Sequence, residues 1–160
     1  MSVSYDVFTV HFLDKVKEYN FIKLDEYDRT KIVDGYMKRA CSQFNKICKY
    51  DIVNGDDIVR EFEIEIPDDE IEEIADIVSE GMLVQWMKPY MYKQENYENM
   101  INTTDYSGYS PAELLYRITE AYKMCKKDFA NMMKEYSYNH GDLSDLHLWW
   151  QIKVLNYQTK

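Results

Sequence analysis

The residues able to do chemistry are few and scattered. Cys41 and Cys48 stand seven positions apart, so on a helix they share one face and could supply half of a zinc site. A structural zinc site draws its second pair of ligands from another tight spacing, and Cys125 has no such companion. Small apolar core positions are therefore the better reading of all three thiols. His140, Asp142, Asp145 and His147 fall within eight residues and carry ligating atoms, but they straddle the expected end of a helix. Asp142 or Asp145 as a cap, with a histidine favoured at a helix terminus, accounts for the same letters. His11 stands alone among aromatic and charged neighbours and reads as a packed or surface residue. Carboxylates abound from Asp56 to Glu80. A hydrolase needs two of them at fixed separation in a cleft, in environments that split their pKa values, and here they read as a solvated face. No Gly-rich phosphate loop, G-x-S-x-G elbow or HExxH run is present. The expectation is a non-enzyme, with no cofactor and no metal, whose work is binding.

Composition sets the frame for that work. A chain of 160 residues, 15% aromatic and 30% charged, with only five Gly and three Pro, suits one well-packed domain and argues against a turn-rich all-β fold. Residues 51 to 80 hold thirteen Asp or Glu against one Arg, a net of −12 in a chain of net −10, so the rest sums to +2. An acidic surface of this kind repels nucleic acid, which needs Lys and Arg to displace counterions. The first twenty residues show no basic start followed by an apolar run, and no stretch suits a membrane span. Cytoplasmic synthesis follows as the expectation, and three cysteines there read as free thiols.

Hydrophobic spacing then lays out the elements. Ser4 can cap a first helix to about Tyr19, with Tyr5, Phe8, Phe12, Val16 and Tyr19 as its stripe. Asp25 opens a second helix whose core face is Val33, Tyr36, Met37, Ala40, Phe44, Ile47 and Cys48, ending near Lys49 or Tyr50; Gly35 inside it suggests a close backbone approach. Phe62, Ile64 and Ile66 alternate with glutamates as in a strand, after a turn signal at Asn54-Gly55. Two strands alone are marginal, so this strip should lie on the helices or pair with an edge elsewhere.

The third helix, from Asp68, sets Ile71, Ile74, Ala75, Val78, Met82 and Trp86 against an acidic face of Glu70, Glu72, Glu73 and Asp76. From Gly81 to Tyr92 its apolar residues surround the cylinder, as expected for a helix enclosed by others or lying in a subunit contact. Pro89 should kink or stop it at Lys88. Residues 93–109 read as a long loop. Ser110-Pro111-Ala112-Glu113 is a capping box that starts a fourth helix, buried through Leu114, Leu115, Ile118, Ala121, Tyr122, Cys125, Phe129, Met132, Met133 and Tyr136 and ending at His140-Gly141. The remaining segment contains Leu143, Leu146, Leu148, Trp149, Trp150, Ile152, Val154 and Leu155, too apolar for a free tail. It can dock on a partner or fold back on its own core.

The expected fold is all-α: a bundle of four long helices, a short extended β-like segment before the third, and an extended C-terminal arm. In domain terms this is a helical body over 1–141 and an arm over 142–160. The second helix DEYDRTKIVDGYMKRACSQF, the acidic lead EIPDDEIEEIADIVSEGMLVQWMKP and the ending EYSYNHGDL together resemble the head-to-tail connector, or adaptor, proteins of tailed bacteriophages. That resemblance implies a structural protein of the virion neck, a homo-oligomeric ring, twelvefold in expectation, that docks on a portal protein and a neighbouring neck or tail protein. DNA would only pass through its channel, and no membrane is involved. It further implies an arm anchored by the apolar residues after His140, subunit contacts near Trp86, Met87, Tyr90 and Met91, and a lumen lined by Asp68, Asp69, Glu72, Glu73 and Asp76. The alternative is a monomeric intracellular binding module, or a phage-encoded regulator, acting through its acidic face.

Overall fold

The computed structural model describes residues 2–16, 23–92 and 111–141. Among these the protein is mostly helical, at 73%, with four helices and one small sheet. The elements in order are β1 (Val3–Ser4), α1 (Tyr5–Lys15), α2 (Glu26–Phe44), β2 (Gly55–Asp56), β3 (Glu61–Phe62), α3 (Asp68–Met91) and α4 (Pro111–His140).

Helix α3 is the axis of the fold. It packs most extensively on α4 and α2 and next on α1, whereas α1 and α2 touch each other less. Three covering helices explain why its middle is apolar on nearly every side: Ile74, Ala75, Ile77, Val78, Met82 and Val84 are all buried. Three helices approach closely at Gly81, where an added Cβ would lie 2.8 Å from the Ala40 Cβ of α2 and 2.8 Å from the Phe129 ring of α4. Glycine is required there because its neighbours occupy the space of a side chain. Among the described residues the expected close backbone approach at Gly35 is absent, and a Cβ there meets the Arg39 guanidinium at 3.8 Å. Replacing Gly35 by Ala is therefore expected to stabilise the protein by about 1 kcal/mol. A thermal melt should show this as a rise of about 2–4 °C.

Ser4 caps α1 as expected, its hydroxyl accepting from the Asp6 N–H at 3.2 Å. The helix stops earlier than its stripe suggests. Lys15 is its last residue and Val16 is extended, at φ −112° and ψ 106°, yet buried; Tyr19 lies outside the described residues. With α1 only eleven residues long, the described residues form three long helices and a short one. Helix α2 ends at Phe44, five residues before Lys49, and a turn over 45–47 leaves Ile47 39% exposed. Its periodic pattern ran on because Cys48 and Tyr50 still pack on the core from outside the helix.

Pro89 neither breaks α3 at Lys88 nor ends it at once; the helix closes at Met91, where the Tyr92 N–H donates to the Pro89 carbonyl at 3.1 Å. A missing donor in the last turn deprives only one carbonyl of its partner. Helix α4 begins at Pro111 and ends at His140 as its flanking residues indicate, although Ser110 and the Leu114 side chain are outside the described set. Phe129 and Tyr136 are buried, and Tyr122, Cys125, Met132 and Met133 pack on the core beside them.

The extended strip is a three-stranded antiparallel sheet in the order β1-β3-β2, with Phe62 opposite both Val3 and Gly55. Strand β1 was not legible in the sequence, because two residues carry no period. Alternation does persist beyond β3, with Phe62 and Ile66 buried, Ile64 half-buried, and Glu63 and Glu65 exposed. The Phe62 ring lies 4.6 Å from Tyr5 and 5.7 Å from Phe8 between centroids. The strip thus lies on the helical body. The turn falls at residues 57–60, not at Asn54-Gly55. Gly55 instead sits in β2, where a Cβ would meet the Tyr5 hydroxyl, the Glu61 carbonyl and the Phe62 ring.

Candidate interaction surface

The hairpin and the acidic face of α3 are where the charge of this protein is concentrated. Arg60 closes the hairpin with φ 59°, a left-handed conformation that favours glycine. Its guanidinium offsets that strain by a paired contact to Asp34 of α2, at 2.9 and 2.8 Å, and a third bond to Asp6 of α1 at 2.7 Å. Its carbonyl accepts the Tyr5 N–H at 2.9 Å. Asp57 accepts from the Tyr5 hydroxyl at 3.1 Å and pairs with Lys38 at 2.6 Å. Within the turn, Asp56 accepts the backbone N–H groups of Ile58 and Val59 at 2.7 and 3.2 Å. The tip is thereby fixed to two helices, and it presents Ile58 at 94% exposure and Val59 at 61%. Beside it runs an open groove bearing the carboxylates of Asp51, Asp56, Asp57 and Glu63.

Of the five acidic residues expected to face a lumen, Asp68 and Asp69 are exposed in the first turn of α3, where the helix dipole favours them. The other three join α3 to its neighbours. His11 of α1 lies between Glu72 and Asp76, at 3.3 and 3.5 Å, and Lys15 reaches Asp76 at 3.7 Å and Glu80 at 3.4 Å. His140, at the end of α4, meets Glu73 at 2.9 Å and approaches Glu70 at 3.9 Å. What reads in sequence as a solvated acidic face is in part a set of links between helices. His11 and His140 come from opposite ends of the chain, so only the packing could reveal them as partners of α3.

The carboxylates of the strip also set a pH response. The Val53 N–H and the Asn54 side chain hold the Asp51 carboxyl below its ordinary range, with a hydrogen bond from Lys38 doing the same at Asp57. At Glu70 burial pushes upward, but hydrogen bonds from Lys49 and Tyr50 and the charges of Lys49 and His140 outweigh it, leaving a net lowering. A depressed folded-state value contributes stability above the unfolded-state value and loses it as pH falls through the folded one. The melting temperature is therefore expected to decline as pH drops below the ordinary carboxylate range. Asp51→Asn should flatten that decline, as followed by melts from pH 7 to pH 3.

Trp86, Met87, Tyr90 and Met91 are half-buried at the C-terminal end of α3, with the Trp86 and Tyr90 rings edge-to-face at 5.3 Å. Trp86 packs against the core. The arm residues Leu143, Leu146, Leu148, Trp149, Trp150, Ile152, Val154 and Leu155 lie outside the described residues, as do Asp142, Asp145, His147 and the loop 93–109. Cys41 is buried and burial pushes its thiol up to about 12, while Cys48 and Cys125 are half-buried with thiols raised for the same reason. Thiols of this kind are poor nucleophiles and belong to the packing. Among the described residues no group of three or more His, Cys, Asp or Glu is arranged to hold a metal ion, and no helix is long and apolar enough to cross a membrane.

The fold and this surface define a mostly helical domain with an acidic, apolar-tipped hairpin clamped to its body. Neither a family model, nor a curated protein, nor a solved structure matches the chain.

Proposed function

We propose that this protein is a structural head-to-tail adaptor of a tailed-bacteriophage virion, forming a ring that docks on the portal and joins capsid to tail. The observation that carries the reading is the combination of a contiguous core, drawn from all four described helices and the sheet, with a further apolar segment at 143–160. In this reading that segment is an arm held by the portal or a neighbouring neck protein. The acidic residues of α3 suit a channel through which DNA passes without adhering, and the half-buried cluster from Trp86 to Met91 suits contacts between subunits.

Deleting residues 143–160 tests the arm. The truncated protein is expected to keep a cooperative melt and to lose co-purification with the portal. If the melt itself becomes non-cooperative, the segment belongs to the core and the arm assignment fails. Cryo-electron microscopy of virions would then establish whether a ring of this protein sits beneath the portal at all.

A further inference from the structure

The geometry points to a head-to-tail contact between copies of this chain, in which the Ile58–Val59 hairpin tip of one copy seats on the Lys- and Tyr-bearing face of α4 in the next. This inference rests on the ring reading above and names the surfaces that would build it.

The tip is apolar, exposed and held in place before binding. Ile58 is 94% exposed, and the turn that carries it is fixed by Asp56 within and by the Arg60 bonds to Asp6 and Asp34 beneath. A contact made by a preformed loop loses little conformational entropy on association. Its rim carries the carboxylates of Asp56 and Glu63 beside the Asp57–Lys38 pair, so it fits a surface that brings cations to an apolar contact.

Helix α4 carries a cationic stripe with an exposed aromatic residue at each end and one exposed apolar side chain, Met124, beside its lysines. Tyr116, Lys123, Lys127, Lys134 and Tyr138 follow one another at steps of seven, four, seven and four residues and so lie along one stripe. All five are exposed, Tyr116 at 65% and Tyr138 at 72%, and Met124, also 65% exposed, adjoins them. On this stripe Lys123 pairs with Glu120 at 2.8 Å. The hairpin packs on α1 and α2 whereas α4 packs on α3, so the tip and the stripe are separate surfaces of one copy. Joining unlike surfaces leaves each pair with a free tip and a free stripe, so the contact propagates and makes a ring where the rotation from copy to copy closes.

The test uses two full-length variants. Ile58→Asp disables the tip, and Lys127→Glu combined with Lys134→Glu disables the stripe; all three positions are exposed, so thermal melts should match the parent. Each variant alone is expected to associate at least roughly tenfold more weakly than the parent in sedimentation. Mixed one to one, they retain one intact pair of surfaces and should form a dimer that does not grow. In parallel, p-benzoylphenylalanine at position 58 should photocrosslink to α4 of another copy and give a ladder of oligomers. Crosslinks from 58 to 58, assembly without any link to α4, or a parent chain that stays monomeric at every concentration would each overturn the contact. Assembly that persists in both variants would reject these surfaces while leaving a ring intact, whereas failure of portal co-purification would reject the adaptor reading and not the contact.

Discussion

Replacing Tyr136 by Ala is expected to cost about 3–5 kcal/mol of folding stability, the range for removing a large aromatic from a packed core. Tyr136 is fully buried on α4, its ring edge-on to Phe44 at 4.9 Å and tilted over His140 at 4.4 Å. It is the point at which α4 meets the end of α2 and the chain that follows it. Its hydroxyl accepts from the Lys49 N–H at 3.5 Å and lies 3.9 Å from the Cys48 sulfur, both long contacts. Tyr136→Phe should therefore lose no more than about 1 kcal/mol, since a net hydrogen bond contributes roughly that amount and these are stretched. Urea denaturation of the two variants separates packing from hydrogen bonding. A loss below about 1 kcal/mol for Tyr136→Ala would mean that α4 is not docked as described.

The second large effect is expected at Gly81. A Val there must displace Ala40 or the Phe129 ring, each 2.8 Å from the position of the added Cβ, and overpacking of this kind costs about 1–3 kcal/mol. Ala40→Gly should restore part of that loss, because it removes one of the two side chains in the way, and the two changes should be non-additive. The same kind of change at Gly35 has the opposite expected sign. Two glycines in neighbouring helices thus differ because one faces a helix crossing and the other meets only the end of an exposed arginine side chain at ordinary contact distance.

Much of the body is legible in the sequence. The stripe Tyr5, Phe8, Phe12 and Val16 is buried, the second helix carries its core face through Val33, Met37, Ala40 and Phe44, and the Pro111 and Gly141 signals bracket α4. Such features depend on neighbours three or four positions apart, which periodicity and capping chemistry report directly. Boundaries fared less well: residues that leave a helix can keep packing on the same core, as Val16 and Cys48 do, so the apolar pattern outlasts the helix.

The interaction surface was legible only as composition. Sequence shows that thirteen carboxylates crowd residues 51 to 80, but not that Glu72, Glu73 and Asp76 meet histidines of α1 and α4. Nor does it show that Arg60 holds the hairpin against two helices. An Ile-Val pair in an acidic stretch looks like part of a strand, and only the turn at 57–60 turns it outward. By itself the sequence determined a helical body, a chain organised around the segment that becomes α3, and a localised negative charge, because each follows from local spacing and local composition. The tertiary structure decided which glycine lies at a helix crossing, which acids are paired and which apolar residues remain exposed, because those depend on contacts between residues dozens of positions apart.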